Sequence, residues 1–78
     1  MIFLISYQTK RDAADAHSNF TRSFFAEHPN NPSLEMVGKL VDQVSHGDFD
    51  GSTIEIEESL DFDAKEMKKQ GTNLHKFG

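Results

Sequence analysis

Acidic side chains are concentrated in one stretch of this 78-residue chain, whose net charge is −5. Residues 42–63 contain eight acidic residues and no Lys or Arg, whereas residues 64–78 contain four lysines and one glutamate. Such a block repels nucleic acid and anionic membranes, and it favours a basic protein surface or a cation. Its members are Asp42, Asp48, Asp50, Glu55, Glu57, Glu58, Asp61 and Asp63.

Residues 48–58, within this block, resemble the calcium-binding loop of an EF-hand. They begin with Asp48-x-Asp50-Gly51 after a predicted helix, and Glu57 and Glu58 fall where an EF-hand has its bidentate glutamate. The resemblance implies a cation-responsive domain, although the stretch is one residue shorter than an EF-hand loop. The alternative is a helix-to-strand turn in which Asp and Gly serve the backbone geometry.

Residues for covalent or metal catalysis are sparse. The chain has no cysteine, which excludes disulfides, Cys-based zinc sites and thiol nucleophiles. Its four histidines form no pair with the spacing of a helical zinc site. Paired catalytic carboxylates need an apolar pocket, for which so short a chain has little room. We therefore expect no catalytic residue, metal or cofactor, and a small nuclease or hydrolase is a further alternative.

The first half of the chain predicts a strand followed by a helix. Residues 2–8 are an apolar run typical of a strand buried on both faces, in the centre of a sheet. Residues 11–28 carry apolar side chains, including Phe20 and Phe24, at spacings of three and four, which predicts a helix. Phe25 lies beside that stripe, so it is the best candidate for an exposed aromatic anchor.

The second half predicts a helix, a strand and a short helix. Asn31 is a plausible N-cap for the first helix, and Gly47 is well placed to end it. Gly38, inside this helix, either permits close packing or weakens the helix. Apolar and polar residues then alternate to Asp63, which predicts a half-buried strand with one acidic face, and Glu58 predicts a bulge or bend there. A third helix is expected at 64–70, and the tail at 72–78 is an edge strand or loose.

These elements predict a single α+β domain spanning residues 1–78 in β-α-α-β-α order. We expect a small antiparallel sheet of two or three strands with two or three helices packed on one face. A sheet this small is marginal, which favours homodimerisation by strand pairing. The N-terminus has no positively charged region and too short an apolar run for a signal or a membrane span, so we expect a cytoplasmic protein.

The function expected from these patterns is non-enzymatic binding. A small adaptor or inhibitor would dock its acidic strand and turn on the basic site of a partner, such as a nucleic-acid-binding protein. Acidic residues on one strand face are ~6.8 Å apart, about four times the ~1.7 Å charge spacing of duplex DNA, so mimicry by this strand alone is incomplete. The predicted partner-binding residues are Asp48, Asp50, Glu55, Glu57, Glu58, Asp61, Asp63 and Phe25.

Overall fold

The computed structural model of the protein describes residues 1–59 and 74–77. Within these ranges the chain forms four strands, two helices and one 3₁₀ turn. In chain order they are β1 Ile2–Tyr7, α1 Lys10–Ala14, β2 Arg22–Glu27, α2 Leu34–Ser45, the 3₁₀ turn Gly51–Thr53, β3 Glu55–Ser59 and β4 Leu74–Lys76.

The four strands form one mixed sheet in the order β3-β1-β2-β4. β1 pairs antiparallel with β2 on one side and with β3 on the other, and β4 pairs parallel with β2. The apolar run at the N-terminus therefore occupies the centre of the sheet, as its composition predicts. Residues 74–76 of the C-terminal tail form an edge strand of the described sheet, which confirms one of the two alternatives for the tail.

The core lies between one face of this sheet and α2. Phe3, Ile5 and Tyr7 of β1 share that face and form one buried cluster with Ala26 of β2 and with three residues of α2: Val37, Leu40 and Val41. The spacing of the α2 residues is the predicted apolar stripe. Leu34, the first residue of α2 and of the same stripe, is instead 82% exposed.

The predicted fold class is wrong in strand number, strand pairing and helix content. The sheet has four strands rather than two or three, and the parallel β2–β4 pair makes it mixed rather than antiparallel. Only α2 is longer than seven residues in the part of the chain that the structure describes. Homodimerisation by strand pairing was expected because a sheet of two or three strands is marginal. A four-stranded sheet does not have this weakness, so that reason no longer applies.

The predicted helix at 11–28 accounts for most of this error. α1 ends at Ala14, because Asp15 adopts an extended conformation and its carboxylate accepts a hydrogen bond from the N–H of His17 at 3.0 Å. This side-chain-to-backbone bond is turn chemistry that competes with helix formation. Phe24 then lies in β2, where six register pairs with β1 override the helical spacing.

α2 begins and ends close to the predicted positions. Its N-cap is Ser33 rather than Asn31, and the Ser33 hydroxyl accepts a hydrogen bond from the N–H of Met36 at 3.2 Å. His46 adopts the left-handed conformation with φ 55° and Gly47 follows with φ 82°, which ends the helix. A Cβ built on Gly38 would meet no described atom within 4 Å, so close packing does not explain this glycine.

β3 is regular through the residue expected to disturb it. Phe3 pairs with Glu58 and Ile2 with Ser59 in an unbroken register, so the predicted bulge or bend at Glu58 is wrong. The rest of the predicted strand beyond Ser59 and the predicted helix at 64–70 lie outside the described residues. No helix among residues 1–59 and 74–77 has the length and apolar character needed to cross a membrane.

Candidate functional site: the acidic edge strand and its turn

β3 presents three glutamates, which we call the acidic edge: Glu55, Glu57 and Glu58. Ile56 lies opposite Ile5 of the core and packs against it. Because side chains alternate along a strand, Glu55 and Glu57 project from the sheet face opposite α2, and Glu58 shares the α2 face with Ile56. All three glutamates are exposed, so the predicted acidic strand face is present over residues 55–57.

The sheet register brings Phe25 onto the same face as Glu55 and Glu57. Glu57 lies opposite Leu4, and Leu4 in turn lies opposite Phe25 of β2. Phe25 is therefore about two strand spacings, or ~10 Å, from Glu57. It is half-buried, whereas Phe20, in the loop before β2, is 59% exposed. Phe25 therefore forms part of the sheet surface, and its role as an aromatic anchor stays a prediction.

The acidic edge has no cationic partner within the described ranges. The ion pair found in the described ranges lies on α2 instead, where Nζ of Lys39 is 3.5 Å from Oε1 of Glu35. An open groove beside the acidic edge is lined by Leu4, Ser6, Glu55, Ile56 and Glu57. The glutamates of β3 are thus exposed to solvent at one edge of the described sheet, next to a shallow groove between β1 and β3.

The turn before β3 is fixed to the segment after β1 by three hydrogen bonds, which we call the clasp. The N–H of Lys10 donates to Oδ1 of Asp48 at 3.1 Å, and the N–H of Asp50 donates to the carbonyl of Gln8 at 3.0 Å. The N–H of Gln8 donates to the Thr53 hydroxyl at 2.9 Å, and that hydroxyl donates to the carbonyl of Asp50 at 2.6 Å. Asp48 and Asp50 therefore hold the chain in place.

Asp50 also serves as the N-cap of the 3₁₀ turn. Its Oδ1 accepts hydrogen bonds from the Ser52 hydroxyl at 2.6 Å and from the Ser52 N–H at 2.9 Å. These bonds favour the charged form and lower the pKa of Asp50 below its ordinary value of 3.8. The carboxylate is occupied by groups of its own turn.

The turn does not form an EF-hand arrangement. The side chains of Asp48 and Asp50 accept hydrogen bonds from N–H and O–H groups, and the exiting segment is the strand β3 instead of a helix. Within the described parts of the chain, no group of three or more His, Cys, Asp or Glu residues is placed to hold a metal ion. This geometry agrees with the structural alternative for residues 48–53.

Two of the predicted partner-binding residues, Asp61 and Asp63, lie outside the described residues. The remaining acidic ones divide into two groups by what they contact. Asp48 and Asp50 belong to the clasp, and the acidic edge faces solvent. The roles of Gln8 and Thr53 in the clasp were missed because their bonds join positions 45 residues apart.

No protein-family model matches the chain, and no curated protein or solved structure is significantly similar to it.

Proposed function

We propose that the protein is a non-enzymatic binding module that docks its acidic edge on a basic surface of a partner protein. The observation that carries the proposal is the placement of Glu55, Glu57 and Glu58. All three are exposed on a strand that pairs, among the described strands, on one side only, and no described cation neutralises them.

Among the described acidic residues, the glutamates of the acidic edge suit this function better than Asp48 and Asp50. The carboxylate of Asp48 accepts a clasp hydrogen bond and that of Asp50 caps its own turn, so both charges also serve the local fold. The glutamates of the acidic edge make no such bond within the described residues. Charges of this kind steer a partner of opposite sign during encounter, and their effect weakens as salt screens them.

The expected partner is a protein with a basic surface, such as a nucleic-acid-binding protein. Nucleic acid itself and anionic membranes carry the same sign of charge as the acidic edge and are disfavoured as direct ligands. An adaptor would join this partner to another molecule, and an inhibitor would occlude its basic site. Edge strands also carry charge to avoid aggregation, so binding and protection are compatible uses of the same residues.

The test compares two variants with the same charge. Glu55→Gln/Glu57→Gln removes two negative charges from the acidic edge, and Glu35→Gln/Asp42→Asn removes two from the exposed face of α2. Each changes the net charge from −5 to −3. Immobilised wild type and the α2 variant are expected to retain the same partner from a lysate, released by added salt, whereas the acidic-edge variant loses it. Equal capture by all three proteins contradicts the proposal.

A further inference from the structure

We infer that the partner contributes an extended segment that adds to β3 as a further strand and carries basic side chains at every second position. This inference rests on the proposed function and specifies how the acidic edge is recognised. It combines the backbone of β3, which provides the docking surface, with its charge pattern, which selects the occupant.

The backbone of β3 offers an incomplete ladder. In the order β3-β1-β2-β4, β3 is paired with β1 and has no second neighbour among the described strands. In an antiparallel pair, every second residue directs its N–H and C=O away from the partner strand. Proline and β-bulges are two of the usual features that prevent a further strand from pairing with an edge. Residues 55–59 have neither, because they contain no proline and their register with β1 is unbroken. An extended peptide can therefore pair there through its main chain.

The side chains of β3 determine which extended peptide fits. Glu55 and Glu57 lie on one face at a spacing of ~6.8 Å, which is the spacing of alternate residues in any added strand. Basic residues at alternate positions of that strand would each lie beside one glutamate, and opposite charges in such cross-strand positions stabilise pairing. The groove lined by Leu4 and Ser6 of β1 opens on the same face of the sheet as these two glutamates.

A second copy of this chain is a poorer occupant of the same edge. Pairing two β3 strands into a continuous sheet with both α2 helices on one side places Glu55 and Glu57 of both copies on the same face. Like charges beside each other destabilise strand pairing. The acidic edge thus disfavours self-association and favours a strand of opposite charge, which is how an edge gains specificity.

The experiment uses the full chain and fluorescein-labelled peptides of defined sequence, with binding followed by anisotropy at low salt. The first peptide repeats Arg-Thr four times, and the second contains the same residues as an Arg block followed by a Thr block. Two further peptides repeat Arg-Thr with N-methyl groups on the backbone of every Arg or of every Thr. Because only alternate amides of an added strand face β3, methylation of one set blocks pairing and methylation of the other does not.

The alternating peptide is expected to bind at least about fivefold more tightly than the block peptide, and one of the two N-methylated peptides to lose a similar factor. Glu55→Gln/Glu57→Gln is expected to weaken binding of the alternating peptide, while Glu35→Gln/Asp42→Asn changes it less than about twofold. Circular dichroism of both variants establishes that they are folded.

Equal binding of the alternating and block peptides, or no effect of either N-methylation, overturns strand addition. If the acidic-edge variant then still loses the cellular partner, the proposed function survives that result. If the acidic-edge variant retains both the peptide and the cellular partner, the proposed function fails together with the inference of strand addition. A chain that self-associates at the assay concentration and binds no peptide would show that a second copy occupies β3, which also overturns the inference.

Discussion

The carboxylate of Asp48 accepts a hydrogen bond from the backbone N–H of Lys10, and the N–O distance is 3.1 Å. Lys10 is the first residue of α1, so its N–H has no acceptor within the helix. Asp48 therefore satisfies an amide at the positive end of a helix dipole and joins the turn before β3 to the segment after β1. A residue that resembles a calcium ligand in the sequence serves as part of the clasp.

Replacement of Asp48 by Ala is expected to destabilise the protein. The change removes the acceptor for the N–H of Lys10, and a hydrogen bond of this kind contributes about 0.5–1.5 kcal/mol to the free energy of unfolding. Asp48→Asn retains an acceptor oxygen and is expected to lose less. Urea unfolding followed by circular dichroism gives both values. Equal stability of wild type and Asp48→Ala would show that the clasp does not depend on this bond.

Calcium at millimolar concentration is expected to leave the Tm unchanged. Binding at about 100 times Kd would add about 2.7 kcal/mol of stability, which raises the Tm of a domain this size by roughly 10 °C or more. The carboxylates of Asp48 and Asp50 instead accept hydrogen bonds from backbone amides. Thermal scans with calcium, with magnesium and with a chelator test this, and a shift specific to calcium would restore the cation-responsive alternative.

The charge of Asp50 is expected to stabilise the protein at neutral pH and to lose this effect in acid. Bonds from Ser52 lower the pKa of Asp50 in the folded chain below 3.8, and the unfolded chain lacks them. The stabilisation is therefore fully present above the unfolded pKa and is lost as the pH falls through the folded pKa. Urea unfolding of wild type and Asp50→Asn should differ at pH 6 and converge below pH 3.8. A difference independent of pH would assign the effect to shape and not to charge.

Gly38→Ala is expected to raise the stability by about 1 kcal/mol. Gly38 lies within α2, where glycine is less favourable than alanine, and the added Cβ meets no described atom within 4 Å. The increase should appear in thermal or urea unfolding at any moderate pH. Val37→Ala, at a neighbouring buried position, is the opposite control because it removes packed methyl groups and should destabilise. A loss of stability in Gly38→Ala would indicate that this position packs against another part of the chain.

The sequence predicts those parts of the fold that depend on local periodicity or on an uninterrupted apolar run. The helix around Val37 and Val41 and the central strand β1 belong to this group, because each has one face or one run that must be buried. β2 does not belong to this group. The spacing of Phe24 from Phe20, in the preceding loop, fits a helix equally well, and only the pairing of β2 with β1 decides between helix and strand.

The same distinction holds for the candidate site. The exposure of Glu55 and Glu57 follows from a strand period of two, which the sequence shows directly. The roles of Asp48 and Asp50 depend on bonds to residues 8–10, about forty positions earlier in the chain, and no local pattern reveals them. The cap of α1 is different, because Thr9 and Asp12 stand three positions apart in the sequence and bond each other directly.

Glu55→Gln/Glu57→Gln is expected to leave the free energy of unfolding within about 0.5 kcal/mol of wild type, or to raise it slightly. Both side chains are exposed, carry like charges ~6.8 Å apart and make no hydrogen bond or ion pair among the described residues. Removing them relieves repulsion and removes no contact. The control Glu35→Gln/Asp42→Asn loses an exposed ion pair, which contributes little, so both variants should unfold at similar urea concentrations. A loss above about 1 kcal/mol in the acidic-edge variant would mean that these charges stabilise the sheet. If stability is retained while partner binding is lost, the glutamates of β3 are present for recognition.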